Sequence, residues 1–392
     1  MKDIYIIAPY IGKIDNQLQN RFLYLSSLFS SKGHKVSLIT SLYCHTTKQK
    51  HDENLHLPFN LEFFDCGTYE NVSLKRFFHN FSFSLKLFFW LNKKNTPDSI
   101  VIVSFPFLSS LFTLSLLRNK FFKIVVDIQD LWPESFIMLK PRYIPKFIFD
   151  ILLKPFIYLN KFIFKMFKNY CFVSNTFKDY FETQYIDTYN SHVCFIGVVP
   201  TASPGNISYP NNVCKIVYVG SLEKSYELRP FFDAVDILNI GASLRYELHV
   251  YGSGSNLQLY KSITLDSDYI FFHKPVSVFD LHTEIKNCHI AINPIIKSSE
   301  ASIINKHADY SFVGLPVINT QTNKEYKTML ARYNAGLSID MCSNQIVESV
   351  NYLLSNDTVF SNFSQGSREM FSEFNREVIY EYYYEFVTKK IV

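Results

Sequence analysis

The sequence predicts an α/β protein built from two Rossmann-like domains that face each other across a cleft. Short apolar runs rich in β-branched residues alternate with helical stretches in both halves of the chain, which is typical of parallel sheets. The stretch 197–212 interrupts this alternation with three Pro and two Gly, as a linker does. Polar residues also follow strand-like runs at 125–135 and 306–318, the positions where open α/β sheets bind ligands.

The elements of the first half follow one another in the order that a parallel sheet requires. Strands are expected at 3–9, 35–41, 99–106, 123–128 and 170–175. Apolar residues recur at helical spacing over 17–32, and Gly33 follows them in the usual position of a helix C-cap. These elements predict an N-terminal domain over residues 1–200.

The alternation restarts after the linker. Strands are expected at 214–221, 246–255, 268–275, 289–295 and 315–320, and helices near 227–240 and 278–287 and over 304–313. We therefore expect a C-terminal domain over 213–366. A final helix is expected over 367–390, and the segment 367–392 is predicted to cross back to the N-terminal domain.

The composition argues against several classes of protein. The chain has 392 residues, of which 47% are hydrophobic and 19% charged, so it is long enough for two domains and too apolar to be disordered. The net charge of +4 indicates no general affinity for nucleic acid. Seven scattered Cys without a C-x-x-C pair argue against a zinc site and fit a reducing compartment. We expect no signal peptide and no membrane span.

The segment KHADYSFVG at 306–314 is the most specific polar motif. Lys306 and Asp309 lie three residues apart, so they share one face of a helix. A cation at the start of a helix is unfavourable unless an anion binds there. The pattern therefore suits the diphosphate and ribose of a nucleotide, with Tyr310 also at the site. An ordinary exposed ion pair is the alternative.

Two loops that follow strands also carry small residues, GSLEKS at 220–225 and GSGS at 252–255. Glycines after a strand allow the backbone to approach a phosphate or a sugar closely. To this donor site we assign Gly220, Ser221, Lys224, Arg229, Gly252 and Gly254. Plain tight turns and solvated surface charges are the alternatives for both loops.

The segment DIQDLWPES at 127–135 ends a strand with acids and an indole. Carboxylates bind sugar hydroxyls and aromatic faces stack on sugar C–H edges, so Asp127, Asp130, Trp132 and Glu134 suit a sugar site. Pro133 fits the start of a helix. A capped helix with Trp132 in a core is the alternative.

Two basic aromatic segments, 73–94 and 140–170, combine Lys and Arg with Phe, Ile and Leu. Apolar faces edged with Lys are typical of helices that lie on anionic lipid. Three prolines, at 141, 145 and 155, are expected to break the second segment into pieces. Ordinary core helices are the alternative.

Taken together, these residues resemble the family 4-like retaining glycosyltransferases of GT-B fold, notably the bacterial transferases of surface-polysaccharide assembly. DLWPES and VGSLEKSYEL are similar to the fucosaminyltransferase-like branch of that family. The resemblance covers nearly the whole chain and lies in the order of the motifs: Gly33-His34 after the first helix, D-x-x-D-L-W-P, V-G-S, G-x-G, and K-x-x-[ED]-Y-x-x-x-G-x-P-V.

The resemblance implies roles for individual residues. The C-terminal domain would bind a nucleotide-sugar donor, a UDP-sugar first of all, with Lys224 and Lys306 on the diphosphate and Asp309 on the ribose. Asp130 would lie near the transferred sugar. Arg21, after the Gly12 loop, would meet the acceptor or a phosphate. The family often has two glutamates eight positions apart, but here Ala301 stands eight positions before Asp309, and Glu300 lies one position off.

The resemblance further implies retention of configuration, and two Lys without a D-x-D pair favour chemistry without a metal or another cofactor. The expected partners are a nucleotide-sugar donor, a lipid-diphosphate-linked glycan acceptor and the cytoplasmic leaflet of the inner membrane, with no nucleic acid. The protein would then be cytoplasmic and peripherally attached to the plasma membrane, acting in capsule or O-antigen synthesis. A nucleotide-sugar 2-epimerase of the same fold and a catalytically silent scaffold protein are the alternatives.

Overall fold

The computed structural model describes residues 1–14, 20–52, 55–69, 74–94, 97–105, 108–131, 145–185, 189–201, 207–297 and 303–389. The chain forms two compact units, one of Met1–Phe195 with Ile379–Val392 and one of Ile196–Val378. Each unit contains a parallel sheet whose strands are joined through helices. The predicted α/β class with two Rossmann-like domains is therefore confirmed.

The first unit is built on a parallel sheet. Its described strands are Asp3–Ile7 (β1), Lys35–Ser41 (β2), Asn60–Phe64 (β3), Ile100–Phe105 (β4), Lys123–Ile128 (β5), Asn169–Phe172 (β6) and Asn190–Val193 (β7). They pair in the order β3-β2-β1-β4-β5-β6-β7. Ile4, Ile6, Ile102 and Val125 are fully buried in its core, because the central strands of a parallel sheet are covered on both faces.

The described helices between these strands are Arg21–Ser31 (α1), Leu74–Asn92 (α2), Leu108–Leu117 (α3), Lys146–Phe164 (α4) and Asn175–Gln184 (α5). The side chain of Asn20 caps α1 by accepting hydrogen bonds from the backbone N–H groups of Phe22 and Leu23. At its other end, Gly33 has a φ of +81°, which fits the predicted glycine stop.

The helix α4 differs from the expectation that prolines would break this segment. Pro145 precedes its first turn, and the helix then runs through Pro155 to Phe164. Proline removes one backbone hydrogen bond from a helix interior. Pro155 is exposed, so water can satisfy the carbonyl group that this loss frees.

The second unit is also built on a parallel sheet whose strands are joined through helices. Its described strands are Val213–Val219 (β8), Arg245–Tyr251 (β9), Ile270–His273 (β10), Ile290–Asn293 (β11), Val317–Asn319 (β12) and Gly336–Ser338 (β13). They pair in parallel in the order β10-β9-β8-β11-β12-β13. Its described helices are Arg229–Asn239 (α6), Leu257–Ile263 (α7), Val278–Ile285 (α8), Asn305–Val313 (α9), Lys324–Tyr333 (α10), Ser343–Leu353 (α11) and Asp357–Met370 (α12).

The predicted C-terminal helix is divided. The helix α12 ends at Met370, a short 3-10 helix covers Phe371–Glu373, and a further helix, Arg376–Thr388 (α13), follows. Tyr380, Tyr383 and Val387 of α13 are fully buried in the core of the first unit. Among the described helices, none is both long enough and apolar enough to cross a bilayer.

Candidate functional site

The strand order of the second sheet reverses between β8 and β11, and ligands of open α/β sheets bind beyond the carboxyl ends of the strands at such a point. The loops after these two strands lie side by side, because Tyr226 and Ile295 form an antiparallel bridge. The helix α9 begins nearby, and its N-cap, Ile304, has no side chain that could satisfy the first backbone N–H groups. This edge of the second unit is the candidate site.

Lys306 is the central cation of this site. It is 7% exposed, and its Nζ has no hydrogen-bond partner among the described residues. The ammonium lies 4.2 Å from the ring centre of Tyr218 and 4.0 Å from that of Tyr226. Burial lowers the pKa of Lys306 well below its usual value, although Asp309 opposes this shift. A buried cation is unfavourable without an anion beside it, so an anion bound next to Lys306 would stabilise it.

The glycines of the two loops permit a very close approach of backbone to backbone. A Cβ atom on Gly252 would come 1.9 Å from the carbonyl oxygen of Gly220, and one on Gly254 would come 2.6 Å from the Leu222 backbone. Gly220 has a φ of +143°, and its Cβ would come 2.8 Å from Lys306 Nζ. The loops therefore need glycine at 252 and 254 to join, and glycine at 220 to leave room for the ammonium.

Tyr310 is fully buried and holds the strand ends together. Its hydroxyl accepts a hydrogen bond from the backbone N–H of Val219 at 2.8 Å and donates to the carbonyl oxygen of Ile292 at 3.3 Å. These contacts join the ends of β8 and β11. The predicted contact of Tyr310 with a donor stays a prediction.

Asp309 has a partner that the sequence did not reveal. Its Oδ1 lies 2.9 Å from Nε2 of His282, and Nδ1 of His282 lies 2.7 Å from the hydroxyl of Thr201. His282 is 2% exposed and packs against Phe312, with ring centres 4.6 Å apart. His282 lies 27 residues before Asp309 on a different helix, so no local spacing signals the pair.

The remaining donor-site residues lie on the surface or outside the described residues. Ser221 and Lys224 are exposed. Arg229 pairs with Glu227, its Nε donating to Oε1 at 2.8 Å. Glu300 lies outside the described residues. The roles predicted for these four side chains stay predictions.

In the first unit, Arg21 and Asp127 form a buried ion pair. Arg21 Nη2 lies 2.9 Å from Asp127 Oδ2, and the two residues are 4% and 0% exposed. The Tyr383 hydroxyl donates to the same carboxylate oxygen at 3.0 Å, and Arg21 Nη1 donates to the hydroxyl of Tyr380 at 3.0 Å. These contacts tie α1, β5 and α13 together, so they give both residues a structural role. The contacts predicted for Arg21 and Asp127 with an acceptor stay predictions.

The other acceptor-site residues are less enclosed. Gly12 has a φ of +39°, with no atom within 4 Å of an added Cβ. Asp130 is half-buried, and its Oδ1 accepts from the backbone N–H of Leu131 at 2.9 Å. Trp132 and Glu134 lie outside the described residues.

The first unit also contains a cluster that the sequence reasoning missed, at the carboxyl ends of β1 and β2. We call it the histidine–tyrosine cluster: Tyr10, Tyr43, His45, Tyr69 and His79. The rings of His45 and Tyr69 stack with centres 5.6 Å apart, and those of Tyr10 and His79 with centres 5.9 Å apart. Burial lowers the pKa of both His45 and His79, which favours neutral rings. No regular spacing links these residues, so only the fold unites them.

Three helices of the first unit expose large apolar side chains. We call this surface the apolar platform: Phe77, Phe78, Phe81, Leu85 and Phe89 of α2, Phe112 and Leu116 of α3, and Phe147, Ile148, Ile151, Leu152, Phe156, Tyr158, Leu159 and Phe162 of α4. The middle helix, α3, packs against both α2 and α4. Exposed Lys residues, including Lys154, lie among them. Apolar patches of this kind mark interaction surfaces.

The described residues include no group of three or more His, Cys, Asp or Glu side chains placed to hold a metal ion. Metal independence stays a prediction.

Comparisons with known proteins identify the fold. No family model and no curated protein sequence matches the chain. Among solved structures, sucrose-phosphate synthase from Thermosynechococcus elongatus is 14% identical, with a TM-score of 0.72 over 98% of each chain. WaaG, a glycosyltransferase involved in lipopolysaccharide biosynthesis, is 14% identical, with a TM-score of 0.66 over 98% of this chain and 99% of its own.

A third similar structure is the Anabaena protein Alr3699/HepE in complex with UDP and glucose. It is 11% identical, with a TM-score of 0.66 over 98% of this chain and 99% of its own. Because these matches cover nearly the whole chain, they confirm the predicted GT-B fold.

Proposed function

We propose that this protein is a glycosyltransferase that moves a sugar from a nucleotide-sugar donor to an acceptor. The observation that carries the proposal is the buried ammonium of Lys306 beside Gly220, at the strand ends of the second unit, which has no hydrogen-bond partner among the described residues. A diphosphate bound there would supply the missing anion. The similar structures add support, since the Anabaena protein holds UDP and glucose and WaaG is a glycosyltransferase.

A UDP-sugar is the expected donor. Its diphosphate would lie against Lys306, the uncapped start of α9 and the exposed Lys224, which is long enough to turn inward. Asp309 would accept a hydrogen bond from the ribose. The small residues of the two loops would let the backbone approach the phosphate or the sugar closely.

The proposed transfer retains the configuration of the sugar and needs no metal ion. The bond from the anomeric carbon to the β-phosphate oxygen breaks, and the acceptor hydroxyl oxygen bonds to the same face of that carbon. The leaving phosphate takes the acceptor proton. Negative charge grows on the phosphate, where Lys306 and the α9 N–H groups would stabilise it. Asp130 would lie near the positive charge of the sugar.

The proposed acceptor is a lipid-diphosphate-linked glycan or an oligosaccharide in surface-polysaccharide synthesis of the capsule or O-antigen type. The histidine–tyrosine cluster offers aromatic faces and neutral imidazoles at a sheet edge, which suit a sugar ring. The apolar platform, with its exposed Lys, would lie on the anionic cytoplasmic leaflet of the inner membrane. Peripheral attachment there would bring the first unit to a membrane-bound acceptor.

The first test is thermal stabilisation by a panel of UDP-, GDP- and TDP-linked nucleotides. A ligand that binds only the folded protein raises its melting temperature. We expect one panel member to stabilise the wild type and the control Lys261→Ala, whose lysine is exposed on α7, but not Lys306→Ala. The transfer rate of Lys306→Ala should fall about 100-fold or more. A transfer rate of Lys306→Ala within about threefold of the wild-type rate would contradict the proposal.

The second test separates transfer from the alternatives by product analysis. We expect a glycosylated acceptor of retained configuration, formed equally in EDTA, and no product without acceptor. An epimerised nucleotide sugar formed without acceptor would favour the epimerase. Nucleotide binding without turnover would favour the scaffold protein.

A further inference from the structure

Thr201, His282 and Asp309 form a continuous hydrogen-bonded row in the second unit. The Thr201 hydroxyl lies 2.7 Å from Nδ1 of His282, and Nε2 of His282 lies 2.9 Å from Oδ1 of Asp309. Ser277 caps the helix that carries His282 by accepting from the backbone N–H of Asp280, and Phe312 packs on the imidazole. The ring is therefore fixed on several sides.

The row also fixes the tautomer of a neutral His282. A carboxylate oxygen only accepts hydrogen bonds, so Nε2 must carry the proton that faces Asp309. Nδ1 is then an acceptor, and the hydroxyl of Thr201 is its donor. Without that hydroxyl, the buried Nδ1 would lose this donor, and the ring that presents its Nε2–H to the carboxylate would be held less firmly.

Lys306 and Asp309 would be expected to form a direct ion pair. They lie three residues apart on α9, and each is only 7% exposed. Opposite charges at this spacing attract strongly when water is excluded. Yet Lys306 Nζ makes no hydrogen bond among the described residues and lies over Tyr218 and Tyr226 instead.

We propose that His282, anchored through its Nδ1 by Thr201, is a positioning residue that holds the Asp309 carboxylate away from Lys306 and so keeps the ammonium available for a diphosphate. This inference rests on the proposed function, because it assigns the anion to that same site. A direct pair between Lys306 and Asp309 would satisfy the lysine within the protein, and a diphosphate would then have to displace the carboxylate.

Inorganic pyrophosphate is the probe that isolates this effect, because it has charge but no ribose for Asp309 to bind. We expect His282→Phe, which keeps the ring shape but cannot donate, to bind pyrophosphate about tenfold more weakly than the wild type. His282→Gln is the matched control, since its amide nitrogen can donate to Asp309 as Nε2 does, and it should stay near the wild type.

The double variant His282→Phe/Asp309→Asn separates positioning from general damage. Without the carboxylate, α9 has no acidic side chain that could pair with Lys306, so His282→Phe should have little effect on pyrophosphate binding in the Asp309→Asn background. A purely structural role for His282 would cause the same loss in both backgrounds and would overturn the inference.

Thr201 provides a second route should His282→Phe fold poorly. Thr201→Val removes the donor to Nδ1 and should weaken pyrophosphate binding, whereas Thr201→Ser keeps the donor and should not. Equal pyrophosphate affinities in these two variants would contradict the role given to Thr201. If the wild type binds UDP but the His282 and Thr201 variants bind pyrophosphate as tightly as the wild type does, this inference alone is overturned. A wild type that binds neither UDP nor pyrophosphate overturns the proposed function as well.

Discussion

Lys306 contributes to the proposed activity at a cost to stability. Its ammonium is buried over two tyrosine rings and has no hydrogen-bond partner among the described residues, and burying such a charge is unfavourable. Lys306→Met keeps the length of the side chain and removes the charge. We therefore expect its free energy of unfolding to rise by about 1 kcal/mol or more, while nucleotide-induced stabilisation disappears.

Denaturant unfolding with and without nucleotide measures both effects. The control Lys261→Met replaces an exposed lysine and should change the unfolding free energy by no more than about 0.5 kcal/mol. A Lys306→Met protein that is clearly less stable than the wild type would mean that the ammonium has a stabilising partner.

His289 predicts a loss of stability in acid. Burial, assisted by the charge of Lys215, lowers the pKa of His289 to about 4, and its Nδ1 accepts from the Lys215 backbone N–H at 2.9 Å. The unfolded chain takes up a proton near pH 6.5, before the folded protein does. The contribution of neutral His289 to the free energy of unfolding is thus complete above about pH 6.5. It is lost as the pH falls toward 4, and the total loss is about 3 kcal/mol.

His289→Asn keeps an acceptor near Nδ1 and does not titrate. Unfolding free energies at pH 7 and near pH 4.5 should therefore differ less in this variant than in the wild type, while both share the effects of every other group. The same acid loss in both proteins would show that His289 is not the cause.

At the residue scale, the sequence pointed to side chains that share one element and missed those whose partners lie on another element. Lys306 and Asp309 stand out because their spacing defines one helix face. His282 does not, because its partner lies on another helix, and neither do Tyr218 and Tyr226, whose rings face Lys306 only after the loop beyond β8 folds back. Such pairs depend on the strand order, which no local pattern encodes.

At the element scale, the joined loops after β8 and β9 predict a sharp difference between two glycines. Gly252→Ala would force a Cβ atom to within 1.9 Å of the Gly220 carbonyl oxygen. We expect it to lower the unfolding free energy by about 1–3 kcal/mol and to weaken nucleotide binding, because Gly220 lies beside Lys306.

Gly241→Ala is the matched control. Gly241 has a φ of +65° and no atom within 4 Å of an added Cβ, so the change should cost only the strain of a left-handed residue, about 1 kcal/mol. Nucleotide affinity should not change in this control. Equal losses of affinity in the two variants would show that the close approach of the loops is not what shapes the site.

The strands that the sequence did not predict share a position at a sheet edge. The strands β3 and β7 lie at the edges of the first sheet and are half-exposed, so they lack the apolar runs of central strands. The strand β13 has only three residues and also lies at an edge. The central strands were predicted because burial on both faces demands β-branched, apolar residues.

At the scale of the whole molecule, the two units carry different surfaces. The apolar platform belongs to the first unit, and the Lys306 site to the second. The alternation of strands and helices on either side of the 197–212 segment predicted two such units. Since the proposed membrane and donor contacts lie on different units, each can be changed without changing the other.

The last prediction uses this separation. Each basic residue near an anionic bilayer contributes about 1 kcal/mol, and salt screens the attraction. We therefore expect the wild type to sediment with vesicles containing anionic lipid at low salt and to bind less at high salt. Replacing Lys154, Lys161 and Lys165 of the platform region with Gln should weaken this binding and leave nucleotide affinity unchanged.

The matched control replaces Lys261, Lys274 and Lys286, which are exposed on the second unit, with Gln. It removes the same net charge, so it separates a local docking surface from general electrostatic attraction. Equal loss of vesicle binding in the two triple variants would show that total charge alone drives binding. A wild type that stays in the supernatant with anionic vesicles at low salt would exclude the platform as a membrane surface. A soluble acceptor, or the epimerase alternative, would then be favoured, because the surface proposed to bring the first unit to a bilayer would not bind one.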